Sequence, residues 1–363
     1  MSLRLDAVRR VVRDEVWIDD TTLDLAPGHL YVLLGPTLAG KTSLMRLMAG
    51  LDRPTSGRVL ADGADVTGES VRKRSVAMVY QQFINYPSLT AYGNVASPLR
   101  LKGATAEEVD RRVRGTAKLL HIDHLLDRLP TELSGGQQQR LAIARALVKE
   151  ARLLLLDEPL VNLDYKLREE LRAELRDLFA RQRTTVVYAT TEPLEALIMG
   201  GDVIVMDEGR VLQTGPTVEV YHRPASLRVA SVFSDPPMNT LSVTVTDGFA
   251  YGRSGVKVPL AHHLGRLAPG RHTLGVRANH LSIHRHGEGD LAVDATVELA
   301  EISGSETFVH VSNGDLHWVV QEEGVHEHAL GQPVRVHLDP ARLYAFDGTG
   351  SLELAPARPS GPG

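Results

Sequence analysis

The eight residues "GPTLAGKT", Gly35–Thr42, limit the possible folds more than any other stretch. They match the pattern G-x-x-x-x-G-K-[ST], follow the apolar run "HLYVLLG" and open the helix-like segment "KTSLMRLMAGL". A strand that passes through such a loop into a helix offers bare N–H groups and a helix N-terminus to an anion. Gly35, Pro36, Thr37, Leu38, Ala39 and Gly40 would wrap a phosphate chain, with Ser43 at the helix start. Lys41 would reach the β and γ phosphates, and Thr42 would offer its hydroxyl to Mg²⁺. The alternative is a chance glycine-rich turn, and the flanking strand and helix argue against it.

Further apolar runs, "VAMVY" (76–80), "ARLLLLDEP" (151–159), "TTVVYAT" (184–190) and "DVIVMDEG" (202–209), alternate with helix-like segments. Unbroken apolar strands in that alternation predict an α/β fold with a mostly parallel sheet covered on both faces. Leu167, Leu171, Leu175 and Leu178 fall at helical spacing and predict a helix packed on the sheet. Residues 104–129 form a charged helical stretch between strands. After "SDPPMNTL" (234–241) the pattern changes to short alternating runs separated by Gly, Asn and Asp. That pattern predicts a small antiparallel β domain or barrel. The expected domains are 1–235, with a helical subdomain at about 89–148, then an OB-like β domain over 236–349. A Pro/Gly-rich tail, 350–363, is expected to be disordered.

Asp157, at the end of "LLLLDEP", is placed to hold a metal directly or through water, and Glu158 to polarise an attacking water. In "LSGGQQQR" (133–140), Ser134 is a natural N-cap, and Gly135 and Gly136 let an anion approach the backbone ahead of Gln137. The net charge of −5 and pI near 6.3 count against a nucleic-acid binder. The absence of cysteine excludes disulfides and thiolate sites and fits a reducing compartment. No apolar run approaches the roughly 18–20 residues that cross a bilayer, and "MSLRLDAVRRVVRDE" is too charged for a signal peptide. Among the 15 histidines, "HRH" (284–286) and "HEH" (326–328) are expected to be exposed, with no transition metal assigned.

Taken in order, these motifs resemble the ATP-binding subunits of ABC transporters, in particular importer subunits for sugars, polyols and sugar phosphates, over nearly the whole length. The resemblance identifies "VYQQFINYPSLTAYGNV" as a glutamine loop, with Gln81 coupling metal and transport, and "LVNLDYKLR" as a subunit-contact loop carrying Asp164. "MNTL" and "GVRANHL" resemble segments of an appended regulatory β domain. The resemblance implies an ATP hydrolase that binds ATP and Mg²⁺ and dimerises with a second ATP-binding subunit. The phosphate loop of one chain would then face the Ser-Gly-Gly signature of the other. It also implies two membrane-spanning permease subunits, a solute-binding protein reached through them, and a location on the cytoplasmic face of the membrane.

The chain departs from the family pattern at several positions. The switch-loop histidine falls on Thr191, or on Thr190 after a one-residue slip, and no histidine lies within twenty residues on either side. Losing such a transition-state contact costs about 10²–10³ in rate. The adenine-stacking aromatic falls on Val11 or Val12; Trp17 is a possible substitute, with a packed core tryptophan the preferred reading. Stacking of this kind is worth about 1–3 kcal/mol. Leu38 is expected to resist a positive-φ backbone, and Val161 replaces a serine. The departures in the switch loop and the stacking position serve this chain's own nucleotide, whereas the signature serving a partner's nucleotide is whole. The expectation is therefore the degenerate half of a heterodimer. The alternatives are a slow homodimer, and a regulatory ATP-binding subunit that does not drive transport.

Overall fold

The computed structural model describes residues 1–357 except 162, 182, 183, 286 and 288, without the side chains of Arg181 and Ser254. Internal contacts divide it into two units, Met1–Thr217 and Val218–Gly363.

Among the described residues the first unit has ten strands: β1 (Leu3–Val12), β2 (Glu15–Leu25), β3 (Leu30–Leu34), β4 (Ser56–Ala61), β5 (Ala64–Asp65), β6 (Val76–Val79), β7 (Leu153–Asp157), β8 (Thr185–Thr190), β9 (Asp202–Asp207) and β10 (Arg210–Pro216). Its helices are α1 (Lys41–Ala49), α2 (Ala91–Leu101), α3 (Ala106–Leu119), α4 (Gly135–Val148), α5 (Tyr165–Arg181) and α6 (Pro193–Met199). The apolar runs pair as a six-stranded sheet in the order β10-β9-β3-β8-β7-β6, parallel except for the β9–β10 hairpin. An antiparallel sheet, β2-β1-β4-β5, accompanies it. Leu5, Ile18, Leu33, Leu44, Leu47, Leu155 and Val187 share one buried cluster that joins α1 to both sheets. In α5, Leu171 and Leu175 are buried, while Leu167 and Leu178 are half-buried and Phe179 completes the stripe.

The sheet's register positions the site. Leu34 lies opposite Thr190, and Asp157 lies opposite Ala189. The C-terminal ends of β3, β7 and β8 therefore meet at one edge, where ligands of open parallel sheets gather. Two backbone bonds fasten that edge, Gly35 N–H to Thr190 O at 3.4 Å and Glu158 N–H to Ala189 O at 3.1 Å.

In the second unit, a six-stranded and a five-stranded antiparallel sheet share one core containing Leu241, Val243, Leu274, Val293, Val309, Trp318 and Val336. This is a small OB-like barrel. Two expectations are corrected here. The division falls before residue 235, because Tyr221 and the helix Leu227–Val232 pack with this unit. The Arg277 guanidinium donates to Tyr221 O at 2.7 Å and Phe233 O at 2.9 Å, and Ala230 clusters with Met238 and Phe346. The tail is also ordered further than expected: Leu352–Leu354 pairs with Tyr344–Phe346, drawn in by partly buried Leu352 and Ala355. Residues 358–363 lie outside the described part.

Candidate nucleotide site

The phosphate loop is shaped by its two glycines. A Cβ at Gly35 would lie 2.4 Å from Met206 O, and Gly40, at φ +96°, forms the N-cap of α1. Leu38 adopts φ +69° with its side chain 94% exposed. The expected resistance is therefore overcome, at a strain cost of about 1–3 kcal/mol. Lys41 Nζ is buried and donates to Gly35 O at 2.8 Å and Pro36 O at 3.1 Å, with Glu158 Oε1 at 3.3 Å. Burial lowers the Lys41 pKa, and the Glu158 carboxylate opposes that shift. Thr42 Oγ1 donates to Asp157 Oδ2 at 2.7 Å. Burial raises the Asp157 pKa against that bond.

Glu158 follows the last residue of β7 and stands at φ +48°, a region that L-residues rarely occupy without function. Gln81 Nε2 donates to Glu158 Oε2 at 3.0 Å. Lys41, Thr42, Gln81, Asp157 and Glu158, widely separated in sequence, thus form one connected group.

The switch loop is wired differently. Thr190 donates its hydroxyl to the Glu195 carboxylate and accepts from Glu192 N–H at 3.0 Å, while Tyr188 Oη donates to Glu195 Oε1 at 2.6 Å. Burial raises the pKa values of both Glu195 and Tyr188. The Thr190 hydroxyl is thus engaged within the loop. Thr191 lines a small cleft with Glu158 and has no hydrogen-bond partner among the described residues.

The signature is capped reciprocally: Ser134 Oγ accepts from Gln137 N–H at 3.4 Å, and Gln137 Oε1 accepts from Ser134 N–H at 2.9 Å. A Cβ on Gly135 would meet only the Phe83 ring, at 3.9 Å, so that surface is open. Asp164 caps α5 by accepting from Leu167 N–H at 3.0 Å. Sequence reasoning missed buried Gln139, which donates to Pro159 O and so ties α4 to the loop after β7. It also missed Glu195; an acid four residues past a loop carries no local sign of burial.

Three further placements matter. Val12 ends β1 opposite Glu15 and is half-buried. Trp17, expected in the core, is 43% exposed. His328, expected to be exposed, is largely covered, with Nε2 2.9 Å from Glu322 Oε2, because the 326–328 loop folds back onto the strand Leu316–Glu323. His286 lies outside the described residues.

An ABC transporter family model matches residues 18–161, and a TOBE domain model matches residues 274–346. The sn-glycerol-3-phosphate import ATP-binding protein UgpC of Salmonella typhimurium is 39% identical over 334 residues, covering 91% of this chain and 93% of that protein. The chain belongs to the ATP-binding subunits of ABC transporters. The UgpC protein of Escherichia coli O1:K1 is 38% identical over 333 residues, at 91% and 93% coverage. Among solved structures, the dimeric post-hydrolysis ATP-binding cassette MJ0796, bound to ADP and Pi, matches with TM-score 0.55 and 29% identity, covering 59% of this chain and 98% of that one. As a member of this family the chain is an ATP-hydrolysing transport component, and its second unit carries the TOBE domain. Among the described residues, no helix is long and apolar enough to cross a membrane.

Proposed function

We propose that the chain energises an importer for a sugar, a polyol such as glycerol, or a glycerol phosphate. The observation that carries this is the convergence of Lys41, Thr42, Gln81, Asp157 and Glu158 at one sheet edge. The solute class is supported by relatives named for sn-glycerol-3-phosphate import that match almost the full length. Two membrane-spanning subunits would hold the chain at the cytoplasmic face, with a solute-binding protein delivering cargo. The docking region would be a cleft of about 740 Å³ whose lining includes Tyr80, Tyr86, Pro98 and Leu101.

ATP would lie along Gly35–Ser43. The Lys41 ammonium, now shared by two carbonyls and Glu158, would turn to the β and γ phosphates. The Thr42 hydroxyl and Asp157 carboxylate, already 2.7 Å apart, form an oxygen pair that fits Mg²⁺, with Gln81 nearby through Glu158. When bound, the ion would neutralise charge on the phosphates. Glu158, held by Gln81, would orient and deprotonate the attacking water.

The assembly is read from Thr191. A threonine hydroxyl can donate a hydrogen bond but is shorter than imidazole and carries no charge. The chain's own site would turn over slowly, while Ser134, Gly135, Gly136 and Gln137, with Asp164 beside the contact, would complete the site of a related subunit that keeps its histidine. The second reading, a homodimer with slow hydrolysis, is favoured by the intact Lys41–Glu158–Gln81 contacts. Reconstitution with the membrane subunits in liposomes, scored by ATP-dependent uptake of labelled glycerol 3-phosphate, glycerol and maltose, tests the transport reading. Uptake of at least one is expected, and hydrolysis without uptake of any would overturn it.

A further inference from the structure

The segment between β6 and α2 is held from two sides. Gln81, just after β6, is bonded to Glu158 at the end of β7. The part from Ile84 to Thr90 is fastened to α2 and α4 instead. Asn94, near the start of α2, is fully buried. Its Oδ1 accepts from Tyr86 N–H at 2.8 Å, and its Nδ2 donates to Leu89 O at 2.9 Å, Tyr86 O at 3.0 Å and Thr90 O at 3.1 Å. A buried amide that spends both polar atoms on one stretch of main chain fixes that stretch in place.

Helix α4 adds further ties. Arg145 donates to Ile84 O and, at 3.5 Å, to Asn94 Oδ1, and its guanidinium lies 4.6 Å from the centre of the Tyr86 ring. Asn85 Nδ2 donates to Gln138 O at 2.9 Å, within the helix that starts at the Ser134 cap. Only Gln82 and Phe83 separate the two sets of bonds. Gln81 therefore goes with the sheet and 84–90 with the helices, and bending is left to the two residues between them. The 740 Å³ cleft spans this joint: Tyr80 lies on the sheet side, whereas Tyr86 and the α2 residues Pro98 and Leu101 lie on the clamped side.

We infer that Asn94 is the positioning residue that joins the docking cleft to the signature helix, so that movement at the cleft displaces Ser134–Gln137 relative to Glu158. The inference rests on the transport reading above. Asn94 bonds to none of Lys41, Thr42, Gln81, Asp157 and Glu158, so its loss uncouples uptake from hydrolysis without stopping hydrolysis.

Phosphate release and uptake are measured on the same reconstituted liposomes, with whichever of labelled glycerol 3-phosphate, glycerol and maltose the wild type takes up. Asn94→Ala is expected to lower solute moved per phosphate released by about 2- to 30-fold and to leave hydrolysis within about twofold. Asn85→Ala, which cuts only the tie to Gln138, is expected to move the ratio the same way by a smaller factor, and it serves where Asn94→Ala does not fold. Hydrogen exchange of the full chain checks the clamp itself: Asn94→Ala should speed exchange over 84–90 and leave β7 and β8 unchanged. Uptake and hydrolysis falling in equal proportion would mean that Asn94 only stabilises the fold. An unchanged ratio in both variants, or exchange over 84–90 as fast in wild type as in Asn94→Ala, would mean that the clamp transmits nothing. Each of these results overturns the inference. Failure of the wild type to take up any of the three solutes would instead refute the transport reading, and the coupling role with it.

Discussion

The ends of β3 and β7 and the end of β8 are neighbours in one sheet, but their polar groups do different work. At β3 and β7, Lys41, Thr42, Asp157 and Glu158 reach across to one another and to Gln81, leaving buried charge beside an open loop. At β8 the bonds turn inward, with Tyr188 and Thr190 both spending their hydroxyls on Glu195. The first region is arranged to meet a ligand, whereas the second holds a loop still. Thr191, next in the chain, is half-buried and lines the small cleft beside Glu158 with its hydroxyl unpartnered among the described residues.

Within these two regions, the largest expected effect comes from making them alike. Thr191→His should raise turnover at the chain's own site by about 10²–10³-fold, read by single-turnover phosphate release. No gain would mean that the loop does not limit the site. Next, Thr190→Val should cost about 1–3 kcal/mol in denaturant unfolding, because a buried carboxylate loses a donor and Glu192 N–H loses its acceptor. A cost well below about 0.5 kcal/mol would dissolve the contrast with the β3 and β7 ends. Leu38→Gly, which relieves the φ of +69° at an exposed position, should gain about 1 kcal/mol.

The smallest effect is a pH dependence. Burial raises the Glu195 pKa, with the Thr190 and Tyr188 hydrogen bonds opposing the shift. The folded chain therefore holds this proton more tightly than the unfolded one. Its contribution to stability is fully present below the ordinary value of 4.5 and is lost as pH rises through the raised one. Thermal melts of Glu195→Gln across that range should decline less steeply than wild type. Asp157, raised in the same direction by burial, should retain its own share of the slope.

What could be read in advance was local. "GPTLAGKT", "LLLLDEP" and "LSGGQQQR" carry their geometry within a few residues, so the loop, the strand end and the cap at Ser134 were all legible. What escaped depends on pairing between distant segments. Trp17 is exposed because of a one-residue slip against β1, and no window of sequence contains that slip. Glu195 is buried because α6 returns onto β8, and Leu352 is ordered because it finds Phe346. Leu38 shows that a loop fixed at both ends by Gly35 and Gly40 can impose a backbone that the residue itself disfavours.

The central claim is that this chain completes another subunit's site more than it runs its own. Steady-state phosphate release by the reconstituted transporter, with either Glu158→Gln or Gly135→Asp in this chain, tests it most directly. Gly135 has room for a side chain, so the second variant should fold and block only the approach of a partner's nucleotide. The account predicts that Glu158→Gln leaves the rate within about twofold and that Gly135→Asp lowers it by about 10²–10⁴. A loss of that size from Glu158→Gln would contradict it and return the chain to the homodimer.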